Sequence, residues 1–327
     1  MSNKGSNIVF IGHQGAGKTT LLASMMTMLS RNDSKFRPLT LRAKGDTFKL
    51  LNKRWSDFLD ALEKSDDIIN LPDAPIVGTK GIVKHEFTFS NGKQKVDFNF
   101  VDTAGGLSED GEDSVAKSIE EACAVICVID AVRLMEKSEE KARNDCAVEG
   151  IKKILETVLS GSSGIKEMNC LFVMTKCETY MHACSLRKKN AKTMGKRFFN
   201  CFKEILDLPG LTSYYLPVET LGCVEFSRFD AEGKPVFRRK REFSGEKLTN
   251  IYQPLCFVMS ELFEKLKKRR SWWTRLIETL DVFRLFEDKD FADYAEKLRN
   301  ASSGVTNLLV YAKDTQSLEK QTGFEFK

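Results

Sequence analysis

The stretch Gly12-His13-Gln14-Gly15-Ala16-Gly17-Lys18-Thr19 decides how the rest of this sequence is interpreted. It follows the apolar run 8–11 and precedes an apolar segment with helical spacing, 21–29, so the local order is strand, loop, helix. Glycines at these spacings let successive backbone N–H groups turn around a phosphate at the start of a helix. Lys18 would neutralise phosphate oxygens, and the Thr19 hydroxyl would bind Mg²⁺. The predicted phosphate-binding residues are Gly12, His13, Gln14, Gly15, Ala16, Gly17, Lys18, Thr19 and Thr20.

The composition is that of an ordinary globular chain. Its 327 residues suit one large or two modest domains, and 42% hydrophobic residues are enough for a sizeable core. No apolar run approaches the ~20 residues of a membrane span, and residues 1–7 carry no signal-peptide pattern, so we expect a cytoplasmic protein with reduced cysteines. The net charge of +5 is a small difference between 51 basic and 46 acidic residues, which does not by itself indicate nucleic-acid binding.

The rest of the chain predicts an α/β fold, in which a mixed, mostly parallel sheet is flanked by helices. Residues 82–89 and 96–101 alternate as strands do, and Asn91-Gly92 between them is a hairpin signal. Beyond this point buried strands alternate with amphipathic helices, which is typical of a parallel α/β sheet. The predicted strands are 124–129, 171–174 and 214–218, and the predicted helices are 48–62, 136–159, 191–206 and 254–268.

We predict two parts of unequal size. Residues 1–270 form the α/β domain, with a helical insertion at about 45–70 and a hairpin-like excursion at about 224–243. Residues 271–327 show further helical periodicity and no second phosphate-binding motif, so we predict a helical C-terminal extension.

Two further motifs follow predicted strands. In Asp102-Thr103-Ala104-Gly105, the aspartate can reach the ligand shell of Mg²⁺, and the Gly105 N–H can meet a γ-phosphate. Thr175-Lys176-Cys177-Glu178 follows the buried strand 171–174. Together with the glycine-rich loop, these motifs resemble, in their order over residues 7–222, the P-loop GTPases of the translation-factor and Ras-like (TRAFAC) class.

This resemblance implies that residues 1–270 form a P-loop GTPase domain that binds GTP or GDP with Mg²⁺. It also implies that the Lys176 stem packs on guanine, while Glu178 accepts hydrogen bonds from the ring N–H and amino groups. Thr79 matches the switch I threonine, which senses Mg²⁺ and γ-phosphate; the alternative is an ordinary loop threonine. The implied Mg²⁺ ligands are Thr19, Thr79 and Asp102, the implied catalytic residues are Lys18, Gln14 and Thr79, and the implied base-side residues are Thr175, Lys176, Glu178, Thr220 and Leu221.

Two departures from the family pattern matter, one at Glu178 and one at Gly106. Glu178 replaces an aspartate and is one methylene longer, which weakens the inference that the base is guanine. Gly106 stands where Ras-like proteins carry a water-positioning glutamine, and Gln14 matches a P-loop glutamine of dynamin-like GTPases; the alternative is a tolerated loop residue. The last base-side motif has two possible registers, Thr220-Leu221 or Leu221-Gly222. Residues 224–243 and 252–255 also loosely resemble GTPases of bacterial conflict systems.

These observations predict a GTP-binding switch that hydrolyses GTP slowly. The alternatives are a P-loop ATPase and a non-hydrolysing nucleotide-bound scaffold. We expect an effector or activating protein as partner, or a homodimer through the nucleotide face. The basic segment Lys265 to Arg275 contains paired tryptophans and is interpreted as a solvated helix end; the alternative is contact with a membrane, a nucleic acid or an acidic partner.

Overall fold

A computed structural model describes most of the first 240 residues of the chain and little of the remainder. The described residues are 6–30, 40–64, 68–69, 82–90, 95–103, 109–161, 165, 167–181, 191–239, 251, 253–255, 257–258, 261 and 309–311.

An eight-stranded sheet forms the centre of the molecule, with the strand order β11-β8-β7-β6-β1-β5-β4-β2. The bounds are β1 Ser6–Ile11, β2 Thr40–Ala43, β4 Ile82–Ser90, β5 Lys95–Thr103, β6 Ala122–Asp130, β7 Met168–Thr175, β8 Leu211–Pro217 and β11 Leu309–Tyr311. Strands β5, β1, β6, β7 and β8 are mutually parallel, whereas β4 and β11 run antiparallel to their neighbours. The predicted mixed, mostly parallel sheet flanked by helices is therefore confirmed.

The parallel register brings the carboxyl ends of the strands to one edge of the sheet. Phe10, near the end of β1, pairs with Asp102 on β5 and with Ile126 on β6. At the end of β6, Asp130 pairs with Thr175 on β7. Because β1 leads directly into the glycine-rich loop, this loop lies beside the carboxyl ends of β5, β6 and β7.

Both faces of the central parallel strands β1 and β6 are buried, as expected when helices cover a sheet on both sides. Val9 and Ile11 of β1 belong to one apolar core, and Ile8 and Phe10 belong to the other. β6 is buried along its whole length, and its residues 124–129 alternate between the two cores in the same way. The helices are α1 Lys18–Ser30, α2 Gly45–Lys64, α3 Glu109–Glu120, α4 Ala131–Glu136, α5 Glu139–Asp145, α6 Val148–Ser160, α7 Glu178–Met181 and α8 Ala191–Leu206.

The single helix predicted over 136–159 is wrong, because the chain breaks there into α4, α5 and α6. Lys137 adopts an extended conformation, and the Ser138 hydroxyl accepts a hydrogen bond from the Lys141 N–H at 3.4 Å, which starts a new helix. Ala147 then adopts a left-handed conformation with φ +54° immediately before α6. Apolar periodicity continues across both breaks, which is why the sequence alone suggested one helix.

Helix α2 spans Gly45–Lys64, within the range of the predicted helical insertion, and packs on α1. After it, the short strand β3, Ile68–Ile69, pairs antiparallel with β10, Pro235–Arg239. β10 also pairs antiparallel with β9, Val224–Phe229, so the predicted excursion contains a hairpin. The strand that follows α2 in the chain therefore belongs to the same three-stranded sheet as this hairpin.

Few residues near the C-terminus are described. Residues 253–255 and 257–258 are helical, and all of them except Gln253 lie within the predicted helix 254–268. In the range predicted as a helical extension, only 309–311 are described, and they form β11 at the edge of the sheet beside β8. The remainder of that prediction lies outside the described residues. No helix in the described part of the chain has the length and apolarity needed to cross a membrane.

Candidate functional site

The glycine-rich loop connects β1 to α1 in a conformation that glycine makes possible. Gly12 has φ +145°, and a Cβ there would lie 2.3 Å from the Val128 carbonyl oxygen, so no larger residue fits without moving β6. Gly17 has φ +96° and faces the Thr175 side chain, which a Cβ would approach to 3.3 Å. The two glycines therefore bring the loop close to β6 and β7, and Lys18 begins α1.

Lys18 is buried at the start of α1. Its Nζ donates hydrogen bonds to the carbonyl oxygens of Gly12, at 2.8 Å, and His13, at 3.4 Å. It also lies 3.6 Å from Asp102 Oδ1, which is an ion-pair distance rather than a hydrogen bond. Burial lowers the pKa of Lys18, and the Asp102 carboxylate opposes that shift. The side chain thus carries its charge under the loop that is predicted to hold phosphates.

Asp102 supplies an acidic group next to that lysine. It is buried near the end of β5, and its Oδ1 accepts no hydrogen bond from the described residues. Burial raises the pKa of Asp102, while the charges of Lys18 and His85 lower it. A buried carboxylate oxygen without a hydrogen-bond donor fits the oxygen ligands that Mg²⁺ requires, and the half-buried Thr19 follows Lys18 directly in the chain. Asp102 and Thr19 are therefore the described residues that would hold the ion.

Thr175 and Lys176, which follow β7, connect the loop to the neighbouring strands. The Thr175 Oγ1 lies 2.5 Å from the Ala16 carbonyl oxygen and 3.1 Å from that of Ile129. Lys176 has φ +58°, and its Nζ donates to the Gly15 carbonyl oxygen at 2.8 Å. The lysine stem therefore crosses from the end of β7 to the glycine-rich loop.

Asp130 completes this connection and was missed in the sequence. It is fully buried at the end of β6, and its Oδ2 lies 2.5 Å from Lys176 Nζ. Its Oδ1 accepts hydrogen bonds from the N–H groups of Val132, at 2.9 Å, and Arg133, at 3.1 Å, and so caps α4. An aspartate directly after a long apolar strand is the signal that could have revealed it, because an ionised residue in such a place needs partners.

Glu178 is buried in the first turn of α7, and it contacts protein backbone. Its Oε1 accepts hydrogen bonds from the N–H groups of Thr220 and Leu221, both at 2.8 Å, and Gly222, at 3.4 Å. Burial raises the pKa of Glu178, and the bonds from Leu221 and Gly222 lower it. The shortest bonds involve Thr220-Leu221, one of the two predicted registers. One oxygen of the predicted base-reading carboxylate is thus occupied in holding the neighbouring loop.

His13 and Gln14 differ in their exposure. The His13 ring is buried; its Nδ1 lies 2.6 Å from the Gln14 carbonyl oxygen, and its Nε2 has no hydrogen-bond partner among the described residues. Burial lowers the pKa of His13 from 6.5 to about 4, against the opposing charge of Asp130, so the ring is neutral at pH 7. Gln14 is exposed on the outside of the loop. Thr79, Gly105, Gly106 and the segment Lys265 to Arg275 lie outside the described residues.

Among the solved structures that resemble this chain, two share 14% sequence identity with it. One is the signal recognition particle receptor SRb-GTP/SRX complex from Chaetomium thermophilum, with a TM-score of 0.41, 14% identity, and coverage of 68% of this chain and 93% of that chain. The other is sup35 complexed with GDP, with a TM-score of 0.33, 14% identity, and coverage of 67% of this chain and 38% of that chain. No protein-family model and no curated protein matches the sequence.

Proposed function

We propose that this chain binds a guanine nucleotide with Mg²⁺ and hydrolyses GTP slowly, as a molecular switch. The observation that carries the proposal is the convergence of two lysines on one glycine-rich loop. Lys18 donates to the carbonyl oxygens of Gly12 and His13 and lies 3.6 Å from Asp102, and Lys176 donates to the carbonyl oxygen of Gly15. Backbone N–H groups at a helix start, a buried lysine and a nearby carboxylate suit a polyphosphate with a divalent cation.

Each predicted residue has a role in this proposal. The backbone of the loop and Lys18 bind the phosphates, and Thr19 and Asp102 hold Mg²⁺, which would neutralise charge on the phosphate oxygens. Thr79 and Gly105, which lie outside the described residues, are proposed to contact the γ-phosphate side. Thr175, Lys176, Glu178, Thr220 and Leu221 form the base side.

Competition binding tests the proposal directly. We expect unlabelled GTP and GDP to displace labelled GDP at concentrations at which ATP does not, and phosphate to be released over multiple turnovers. Equal competition by ATP would identify an ATPase. Binding of GTP without phosphate release would identify a nucleotide-bound scaffold. If neither nucleotide binds in the presence of Mg²⁺, the proposed function is wrong.

Glu178→Gln separates two roles of this carboxylate, which are holding the loop at Thr220 and Leu221 and reading the base. The amide oxygen of glutamine can still accept the bonds from Thr220 and Leu221, but its NH₂ group cannot accept hydrogen bonds from guanine. We therefore expect Glu178→Gln to keep the unfolding midpoint near that of the wild type, and to weaken GTP and GDP binding about tenfold or more. ATP binding, where measurable, should not change. The measurement is competition binding combined with thermal unfolding.

Glu178→Ala serves as the comparison, because it removes both sets of bonds. We expect it to lower the unfolding midpoint as well as the guanine-nucleotide affinity, since the buried N–H groups of Thr220 and Leu221 lose their acceptor. If Glu178→Gln binds GTP as tightly as the wild type, Glu178 only braces the loop, and base choice lies elsewhere.

Gln14 is the proposed source of water positioning during hydrolysis. Gln14 is an exposed residue of the phosphate loop, so a second copy of the chain or a partner protein can pack on it. We expect Gln14→Ala to preserve GTP affinity within a few fold and to reduce phosphate release at least about tenfold. Wild-type specific activity should rise with protein concentration or with partner, since a partner contact can contribute ~10³ to 10⁵ in rate.

Phosphate release at saturating GTP across a dilution series measures both effects. Equal turnover of Gln14→Ala and wild type would show that Gln14 is a passive loop residue.

We also propose an effector or activating protein as partner and a cytoplasmic location. Contact of the Lys265 to Arg275 segment with a membrane or a nucleic acid stays a prediction, less favoured than a solvated helix end.

A further inference from the structure

A cleft lies between α1, α2 and the loop after β8. Its lining includes Thr20 and Ala23 of α1, Trp55 and Phe58 of α2, and Leu221 of the loop after β8. Trp55 is half-buried, and its ring centroid is 5.5 Å from that of Phe58 at an interplanar angle of 49°. The cleft therefore presents a large aromatic side chain opposite the helix that starts at the phosphate loop.

The position of this cleft connects the two halves of the proposed nucleotide site. Thr20 follows Lys18 by two residues, so the α1 side of the cleft begins beside the phosphate loop. The Leu221 N–H donates a hydrogen bond at 2.8 Å to Oε1 of Glu178, the predicted base-reading residue. The Ser24 hydroxyl, one turn beyond Thr20, donates to the Thr220 carbonyl oxygen at 2.5 Å and so holds the same loop against α1. The cleft is therefore lined by Thr20 and Leu221, which both belong to the predicted nucleotide-binding residues.

Contacts at both ends hold α2 across the cleft. Near its start, the Thr47 hydroxyl accepts a hydrogen bond from the Glu86 N–H on β4 at 3.1 Å. Beyond its end, β3 pairs with Phe237 and Arg238 of β10, in the hairpin that follows Leu221 in the chain. These attachments keep Trp55 facing α1.

We propose that Trp55 packs on the base of the bound nucleotide, so that α2 forms one wall of the base site. The inference rests on the proposed function. Stacking of a base on an aromatic ring adds affinity and is tolerant of base identity, because every base presents a π-face. Trp55 therefore adds affinity for the nucleotide without adding a preference for guanine over adenine, and the choice between bases is left to Glu178.

The test compares ligands with and without a base. We expect Trp55→Ala to weaken GDP and GTP binding roughly tenfold, and to leave competition by inorganic tripolyphosphate unchanged, because that probe has phosphates and no base. Trp55→Phe should recover part of the loss. Leu59→Ala is the matched control, because Leu59 is exposed on the same helix and does not line the cleft. The affinity of this variant for GDP should stay within twofold of that of the wild type.

A fluorescence measurement gives an independent readout. In a protein carrying Trp272→Phe and Trp273→Phe, Trp55 is the only tryptophan, and GDP is expected to quench its emission whereas tripolyphosphate is not. The inference is overturned if Trp55→Ala binds GDP as wild type does, or if it loses tripolyphosphate affinity to the same degree. If Trp55→Ala binds GDP as the wild type does, Lys18 variants still test the proposed function. Failure of the Trp55 inference can therefore be distinguished from failure of the proposed function. A wild-type protein that binds no nucleotide would remove both.

Discussion

Replacing Lys18 with methionine is expected to reduce the affinity for GTP, GDP and inorganic tripolyphosphate by at least about a hundredfold. The ammonium group lies under the phosphate loop, and two charge-assisted hydrogen bonds to phosphate oxygens would contribute about 1.5–3 kcal/mol each. Methionine keeps much of the buried stem and removes the charge. The loss should be the same for all three ligands, because they share the phosphates, and labelled-GDP competition measures it.

Lys18 also stabilises the folded protein, so a binding loss alone does not establish its role. Its removal leaves the Asp102 carboxylate buried without the lysine 3.6 Å away, which is destabilising. The double variant Lys18→Met, Asp102→Asn removes both charges, and we expect it to regain much of the lost stability without regaining nucleotide binding. Near wild-type GDP affinity in this double variant would contradict the phosphate role of Lys18.

Substitution of Asp130 by alanine should have the largest effect on stability, lowering the free energy of unfolding by about 3–5 kcal/mol. The carboxylate is fully buried, pairs with Lys176 at 2.5 Å and caps α4 through two backbone N–H groups. The variant leaves those N–H groups without their acceptor and Lys176 without its ion-pair partner. Urea denaturation measures the loss. Asp145→Ala is the control, since its partly exposed pair with Arg133 at 3.7 Å should be worth at most about 1 kcal/mol.

The stabilisation by Asp130 should also depend on pH. Burial would raise the pKa of Asp130, but the charge of Lys176 and the hydrogen bonds that Asp130 accepts outweigh burial and lower it. A carboxylate with a lowered pKa in the folded state stabilises fully above about pH 5 and loses that contribution as the pH falls below about 4. The difference in stability between wild type and Asp130→Asn should therefore shrink in acid. A loss in Asp130→Ala no larger than that in Asp145→Ala would show that the buried pair contributes little.

Most of the fold could be predicted from the sequence, because the patterns that indicate strands, helices and the phosphate loop each lie within a short stretch of the chain. Alternation predicted β4 and β5, buried apolar runs predicted β6 and β7, and glycine spacing before Lys18 predicted the phosphate loop. The conformation of Gly12, whose Cβ would meet the Val128 carbonyl oxygen at 2.3 Å, explains why glycine is required there. The breaks at Lys137 and Ala147 were missed, because the apolar pattern that identifies a helix face continues through them.

The sequence by itself therefore determined the α/β order of elements and the loop that would bind phosphates, since both depend on residues close together in the chain. Only the tertiary structure decided that Asp130 pairs with Lys176, 46 residues away, and that Glu178 holds the N–H groups of Thr220 and Leu221, 42 and 43 residues away. It alone also placed Trp55 opposite Thr20. Periodicity reports which face of an element is buried, whereas the partners on that face depend on strand register and on how helices cross the sheet. These are set by packing between distant segments, and the local pattern carries no record of them.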